Sequence, residues 1–251
     1  MIKIEKSYSY AKKNDLYNDY SCPKKILFTG GAGDIFAIES YIPEIWFKTV
    51  EKIVFATRAT PFVIDFFEKK IVPFENANFD VVETNYTEPI HNIKELSSRT
   101  TYSDVDGLID CSISKMFQLI KSNKINYKGS SIIQNLNVDL SRFNLPNDYV
   151  LICPITNHDV KSPRNFDQSE RKIINSFLKR QKIVGVIVHH EKYHFANEIN
   201  AIDLSGKTTM LESIGILKKS SGFIGVDSCL AVLACQVLYS DNIIIKSTNK
   251  H

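Results

Sequence analysis

From Lys24 onward the sequence alternates short β-rich apolar runs with stretches of helical spacing, and the alternation stops near Pro146 and then starts again. Strands joined by helical crossovers lie parallel and are buried on both faces, so the pattern confines the chain to α/β sheets covered by helices. The first series predicts strands at Lys25–Phe28, Lys52–Ala56, Phe79–Glu83, Gly107–Ile109 and Ser131–Ile133. SRFNLPNDY, polar and broken by proline, reads as a connection. The second series predicts strands Tyr149–Cys153, Ile183–Val188, Gly222–Gly225 and Asn242–Ile245, with helices Gln168–Gln181, Met210–Ser220 and Ser228–Val237. Two Rossmann-like domains are expected, at 24–145 and 146–251, behind an N-terminal extension at 1–23. A chain of 251 residues has room for both cores.

Apolar residues make up 43% and charged residues 24%, ordinary for a soluble globular protein and far from a disordered composition. No apolar run approaches the roughly 20 residues that span a bilayer. The opening MIKIEKSYSYAKKND lacks the apolar core and cleavage site of a secretory signal, so a cytoplasmic location is expected. Cysteines 22, 111, 153, 229 and 235 are odd in number and lack metal-finger spacing, which reads as reduced core thiols. The net charge of +3 is unevenly placed: residues 1–150 carry 18 Lys and Arg against 19 Asp and Glu, residues 151–251 carry 13 against 9. The second domain is therefore the expected home of an anionic ligand. With no strong basic run, a nucleic-acid partner draws only slight encouragement. Tyr8, Tyr10, Tyr17 and Tyr20 cluster ahead of Pro23 and fit a tail, a docking strand or a cover on the first domain equally.

In doubly wound sheets ligands sit at the carboxyl ends of the strands, so chemistry is sought in the loops that follow them. ILFTGGAGDIF leads through Gly30, Gly31 and Gly33 into a helix, a turn that lets a ligand approach helical amides. It resembles the opening of the extended short-chain dehydrogenases and epimerases. Against that stand Phe36 at their last glycine position, no ribose-binding acid after KIVFATRATPF, and Tyr-x-x-x-Lys only at Tyr8–Lys12 and Tyr20–Lys24, ahead of the loop. Asp34 is unusual there: an acid at a strand tip either takes a proton from a hydroxyl or caps its helix. Lys161 and Arg164 follow the strand VLIC, where cations suit a diphosphate or simply a solvated loop.

VHHEKYH contains His190-Glu191-x-x-His194, the spacing with which a helix binds zinc. Placed directly after a strand, this segment is not expected to be helical, and Glu191 there suits two vicinal ribose hydroxyls. Asp104-Val105-Asp106 follows polar SSRTTYS and reads as a solvated loop. In IDLSGKTTM a polar turn opens a helix with amides and the hydroxyls of Thr208 and Thr209 available to a phosphate. GFIGV then ends in Asp227 and Ser228, where Asp227 either faces a ligand or caps the next helix.

Three of these segments, in order, resemble the heptosyltransferase-like glycosyltransferases of family 9. DLSGKTTMLESIGILKKSSGFIGVDSCLAVLA is similar to the family's donor-binding half, in which a leucine-glycine-lysine turn leads through a helix to a strand ending in Asp-Ser-Gly. GAGDIFAIESYIP is similar to its N-terminal Gly-Asp segment, and CPITNHDVKSPRNF to the opening of its second domain. The resemblance implies a GT-B fold, two Rossmann-like domains facing a cleft. It also implies inverting, metal-independent transfer, without a cofactor, from a nucleoside-diphosphate sugar to a saccharide or lipid-linked saccharide. By the same resemblance Asp34 is the general base, and Gly33 lies beside the donor. Lys161, or Arg164 in its place, contacts phosphate; Glu191 lies near the ribose; Thr208 and Thr209 meet the diphosphate; Asp227 and Ser228 face the sugar.

The sequence departs from that family at Cys229, where the glycine of Asp-Ser-Gly is expected, and at Val232, where a histidine is usual. A heptose donor therefore does not follow. The chain stops soon after NIIIK, without the long C-terminal helix, implying a minimal fold or a cleft completed by another subunit of a homo-oligomer. Two readings from other classes stay open: an NAD(P)-dependent sugar-nucleotide epimerase or reductase, and a non-catalytic nucleotide-sugar-binding subunit.

Overall fold

The structure is a computed structural model and describes residues 23–42, 44–57, 77–84, 93–111, 136–156 and 162–246. The Tyr-rich segment, the expected strand Ser131–Ile133 and Lys161 lie outside the described residues. Nine strands form two sheets among them. β1 (Lys25–Gly30), β2 (Lys52–Thr57), β3 (Asn78–Glu83) and β4 (Leu108–Asp110) make a sheet of order β3-β2-β1-β4. β5 (Tyr149–Cys153), β6 (Val184–Ile187), β7 (Ala201–Asp203), β8 (Gly222–Val226) and β9 (Ile243–Lys246) make a second, of order β7-β6-β5-β8-β9. Every pairing is parallel. The α/β class with two doubly wound sheets is as the alternation requires.

Helices α1 (Ala32–Glu39), α2 (Glu44–Thr49) and α3 (Ile93–Arg99) accompany the first sheet; α4 (Gln168–Gln181), α5 (Met210–Lys219) and α6 (Cys229–Val237) accompany the second. Period-two alternation divides β5 between two cores. Tyr149, Leu151 and Cys153 face the layer that holds Ile214, Leu217 and Leu233, while Val150 and Ile152 meet Ile174 and Leu178 of α4. Helix α4 is sharply bounded: Asp167 accepts from the amide of Glu170, whose carboxylate accepts from the amide of Asp167, a reciprocal capping box.

One apolar core runs through both sheets: Ile26 and Phe28 of β1 and Phe36 of α1 belong to the same buried cluster as Leu151, Phe223 and Leu230. Its seam is the contact of α1 with α6. A Cβ placed on Gly33 would stand 3.2 Å from the Cα of Cys229 and 3.5 Å from Val232 Cγ2, and Gln236 Nε2 donates to the carbonyl of Phe36 at 3.3 Å.

The connection between the sheets is not a loose linker. Val138 and Leu140 pack on Gly215 of α5, and Lys218 Nζ donates to the carbonyl of Leu136. Arg142, in a 3-10 turn at Ser141–Phe143, grips Glu212 with two guanidinium nitrogens at 3.0 and 2.9 Å. Residues 136–145, placed by the sequence with the first domain, thus pack on a helix of the second.

Candidate functional site

Strand order reverses beside β1 in the first sheet and beside β5 in the second. At such switch points neighbouring crossovers depart to opposite faces and leave a crevice at the carboxyl ends of the strands. The loops after β1, β5 and β8 carry Gly33 and Asp34, then Arg164, then Asp227 and Ser228. Those after β6 and β7 carry Glu191, Thr208 and Thr209. The two flanking strands β6 and β8 stand about 10 Å apart across β5.

At the β1 end, Gly30 has φ +102, a conformation that excludes side chains, and its carbonyl accepts from Thr57 Oγ1 at 2.8 Å. Asp34, in the first turn of α1, folds back so that Oδ2 accepts from the amide of Gly31 at 2.8 Å. The capping role is therefore real, yet it occupies one oxygen. Oδ1 has no hydrogen-bond partner among the described residues. Gly33, expected beside the donor, serves the helix seam, and through it Asp34 and Ser228 each stand one residue from the same contact.

At the β8 end, Ser228 rather than Asp227 caps α6, its Oγ accepting from the amide of Ala231 at 3.3 Å. The amide of Asp227 donates to the carbonyl of Lys246 at 3.2 Å, and its exposed carboxylate has no partner among the described residues. Arg164 is likewise exposed with a guanidinium unpaired among them. Its loop is pinned: Asn165 Oδ1 takes the amide of Thr156, Phe166 donates to the carbonyl of Pro154, and Lys246 Nζ reaches the carbonyl of Asn165 at 2.7 Å. Lys246 thereby ties the Arg164 loop to Asp227, a role that no local motif announces.

Thr156 is a further residue missed from the sequence. Its Oγ1 is buried without a partner among the described residues, at the end of β5 between the two groups of loops. Cys153 and Cys229 also converge there, Cys153 Sγ lying 3.8 Å from Ser228 Oγ. Burial pushes the Cys153 thiol up to about 11. Cys229 goes to about 12, first through burial of its sulfur and then through its neighbour Cys153. Both remain protonated thiols near neutrality and are poor nucleophiles.

The turn before α5 differs from the open phosphate cradle expected of it. Thr209 Oγ1 accepts from the amide of Glu212, Glu212 Oε2 accepts from the amide of Thr209 at 2.8 Å, and Thr208 Oγ1 pairs with Ser213 Oγ at 2.9 Å. Both hydroxyls are engaged within the turn, and Arg142 balances the Glu212 carboxylate. Thr209-x-x-Glu212 ahead of an apolar run is a capping-box signature that sequence reading could have found.

The segment from His189 to His194 is a loop, as its position after a strand demands. His189 is buried, and burial, followed by the neighbouring His190, pushes its imidazole down to about 4. Glu191 is largely exposed, with its carboxylate 3.6 Å from His190 Nε2. Asp104 lies in an exposed loop, as read from the sequence, and pairs there with Lys25 at 2.5 Å and Lys52 at 3.0 Å, the first residues of β1 and β2. It therefore stands at the opposite edge of the sheet from Asp34. Among the described residues no three His, Cys, Asp or Glu side chains group to hold a metal ion, and no helix is long and apolar enough to cross a membrane.

No family model matches the sequence, and no curated protein matches it. Solved structures do resemble it. A glycosyl transferase family 9 protein of Veillonella parvula superposes with TM-score 0.53 at 11% identity, covering 95% of this chain and 90% of its own. The Escherichia coli ADP-heptose lipopolysaccharide heptosyltransferase II gives 0.52 at 10%, covering 91% of each chain. The dodecameric, iron-containing heptosyltransferase TibC, crystallised with ADP-D-β-D-heptose, gives 0.51 at 16%; this chain covers 58% of TibC's length in that complex and 64% in a second structure, from enterotoxigenic E. coli H10407. The chain has the fold of the heptosyltransferase-like, family 9 glycosyltransferases.

Proposed function

We propose that this protein transfers a glycosyl unit from a nucleoside-diphosphate sugar to an acceptor hydroxyl, with inversion and without a metal. The observation that carries the reading is the α1–α6 seam. By closing Gly33 onto Cys229 it sets a carboxylate with one uncommitted oxygen, Asp34, beside the loop of Asp227 and Ser228, both at switch points.

In this reading Asp34 Oδ1 accepts the acceptor's hydroxyl proton as the oxygen bonds to the anomeric carbon. The bond from that carbon to the diphosphate breaks, and the nucleoside diphosphate leaves with the electron pair. Its charge is met by Arg164, by Lys161 and by the amides opening α6. Asp227 accepts from sugar hydroxyls and Glu191 from the ribose. The turn of Thr208 and Thr209 bounds the donor through its backbone. A saccharide or lipid-linked saccharide is the acceptor class we favour, on the cytoplasmic side, where reduced thiols such as that of Cys153 persist.

The Asp34 carboxylate also weighs against a nicotinamide dinucleotide at β1, since it fills the Gly31 amide that a pyrophosphate would need. The iron of TibC belongs to that protein. The turn before α5, closed by its own Glu212, offers the diphosphate no uncommitted hydroxyl and leaves its charge to the groups named above.

Asp34→Asn tests the role of Asp34 as the base. The amide oxygen of asparagine still accepts from Gly31, so the fold is kept, while proton acceptance is lost. Release of nucleoside diphosphate from donor plus acceptor should fall by a factor on the order of 10² to 10⁴, with nucleotide affinity within about threefold. Unchanged turnover removes Asp34 as the base.

A further inference from the structure

We propose that His190 is a positioning residue for Glu191, and that through a hydrogen-bonded relay with buried His189 it makes that carboxylate's availability to a nucleotide depend on protonation. The inference rests on the reading of Glu191 as a donor contact.

His189 Nδ1 lies 3.1 Å from the amide nitrogen of Glu191 and 3.1 Å from its carbonyl oxygen. His189 Nε2 lies 3.1 Å from His190 Nδ1, the two rings 4.2 Å apart. His190 Nε2 in turn stands 3.6 Å from the Glu191 carboxylate. The circuit thus begins and ends on one residue, and it has two self-consistent proton arrangements.

In the first, His189 Nδ1 accepts from the Glu191 amide, and His189 Nε2–H donates to His190 Nδ1. In the second, His189 Nδ1–H donates to the Glu191 carbonyl, and His189 Nε2 accepts from His190 Nδ1–H. Only the second accommodates a doubly protonated His190, because in the first a proton on His190 Nδ1 would meet the His189 Nε2–H. Adding a proton at His190 therefore flips the tautomer of His189 without charging it. His189 is 6% exposed, so a second charge there is disfavoured. The imidazolium that results faces the Glu191 carboxylate and holds it against the loop.

The turn Leu204–Thr209 packs on this loop, Gly206 donating to the carbonyl of His189 at 2.9 Å. Of its charged groups, Lys207 Nζ is bound to the carbonyl of Asp203 at 2.7 Å, and Asp203 Oδ1 takes both the amide and hydroxyl of Ser205. Lys192, Tyr193 and His194 are the remaining titratable groups of the loop: Lys192 and His194 are exposed, and burial holds the Tyr193 phenol above its ordinary value.

The test is titration calorimetry with whichever of ADP, GDP, UDP or CDP binds most tightly at pH 8, repeated at pH 5.5. The proteins are the parent, His190→Asn and Glu191→Gln. An exposed ion pair of this kind predicts that the parent's affinity falls about two- to fivefold more than that of His190→Asn on acidification; titration of the nucleotide's own phosphate is common to both. Nitrogen-15 spectra of the imidazoles should show His189 exchanging its protonated nitrogen from Nε2 to Nδ1, while staying neutral, as His190 gains its proton. If His190→Asn follows the parent's pH dependence while Glu191→Gln weakens binding at pH 8, the relay is overturned and the role of Glu191 stands. If Glu191→Gln binds like the parent at pH 8, the donor contact itself fails and the gate with it, even where the tautomer exchange is seen.

Discussion

Asp34 meets a structural and a chemical demand with different oxygens, and its neighbours show the same economy. Ser228 caps α6 and so leaves the exposed carboxylate of Asp227 uncommitted. Asp227→Ala should therefore leave affinity for the bare nucleoside diphosphate nearly unchanged but weaken binding of the matching nucleotide sugar about tenfold, the scale of a lost hydrogen bond to a charged group. Calorimetry with both ligands checks it. His189 makes a second residue-level prediction. With its imidazole pushed down to about 4 from 6.5, the folded state binds fewer protons than the unfolded one between those values. Its contribution is complete above about pH 6.5 and is lost as pH falls toward 4, on the order of 3 kcal/mol in all. Urea midpoints measured from pH 7 to 4 should fall less steeply for His189→Gln than for the parent; parallel slopes would show that His189 does not titrate as its burial requires.

Among the elements, the helix seam is where sequence and structure part most instructively. Gly33 looks like a phosphate-loop glycine, but its lack of a side chain lets α6, some two hundred residues later in the chain, approach closely with the Cys229 backbone against it. Gly33→Ala trades a gain in helix propensity of about 1 kcal/mol against a tight contact and should be near neutral. Gly33→Val overpacks the seam and should cost about 1–3 kcal/mol, readable in the urea midpoint. Local patterns announced most of the framework: apolar β-branched runs marked β1, β2, β5 and β8, and a capped amphipathic stretch marked α4 over Gln168–Gln181. The edge strand β7 was not legible, because three half-buried residues carry no periodicity. Of the site, the strand-end positions of Asp34, Glu191, Asp227 and Arg164 could be read from order alone. What Lys246, Arg142 and Thr156 do could not, since each acts through partners far away in sequence or through burial. The capping box of Thr209 with Glu212 is local and therefore legible in the sequence, and with the Thr208–Ser213 pair it engages hydroxyls that the turn otherwise offers to a phosphate.

For the molecule as a whole, the continuous core means that the two sheets meet through packed side chains at α1 and α6, and not through the connection alone. The connection is itself fastened to α5 by Arg142 and Glu212. A nucleotide bound between the carboxyl ends would therefore meet a largely formed site, with Asp34 from one sheet and Asp227, Arg164 and Glu191 from the other. We propose that this site takes a nucleoside-diphosphate sugar. It is tested most directly by calorimetric titration of the full chain with ADP, GDP, UDP, CDP and NAD in the presence of EDTA. Saturable one-to-one binding of a nucleoside diphosphate, with NAD silent and the chelator without effect, is the predicted result. Binding of NAD alone would contradict the account and return the glycine loop of β1 to a dinucleotide, with Asp34 stripped of its role as base.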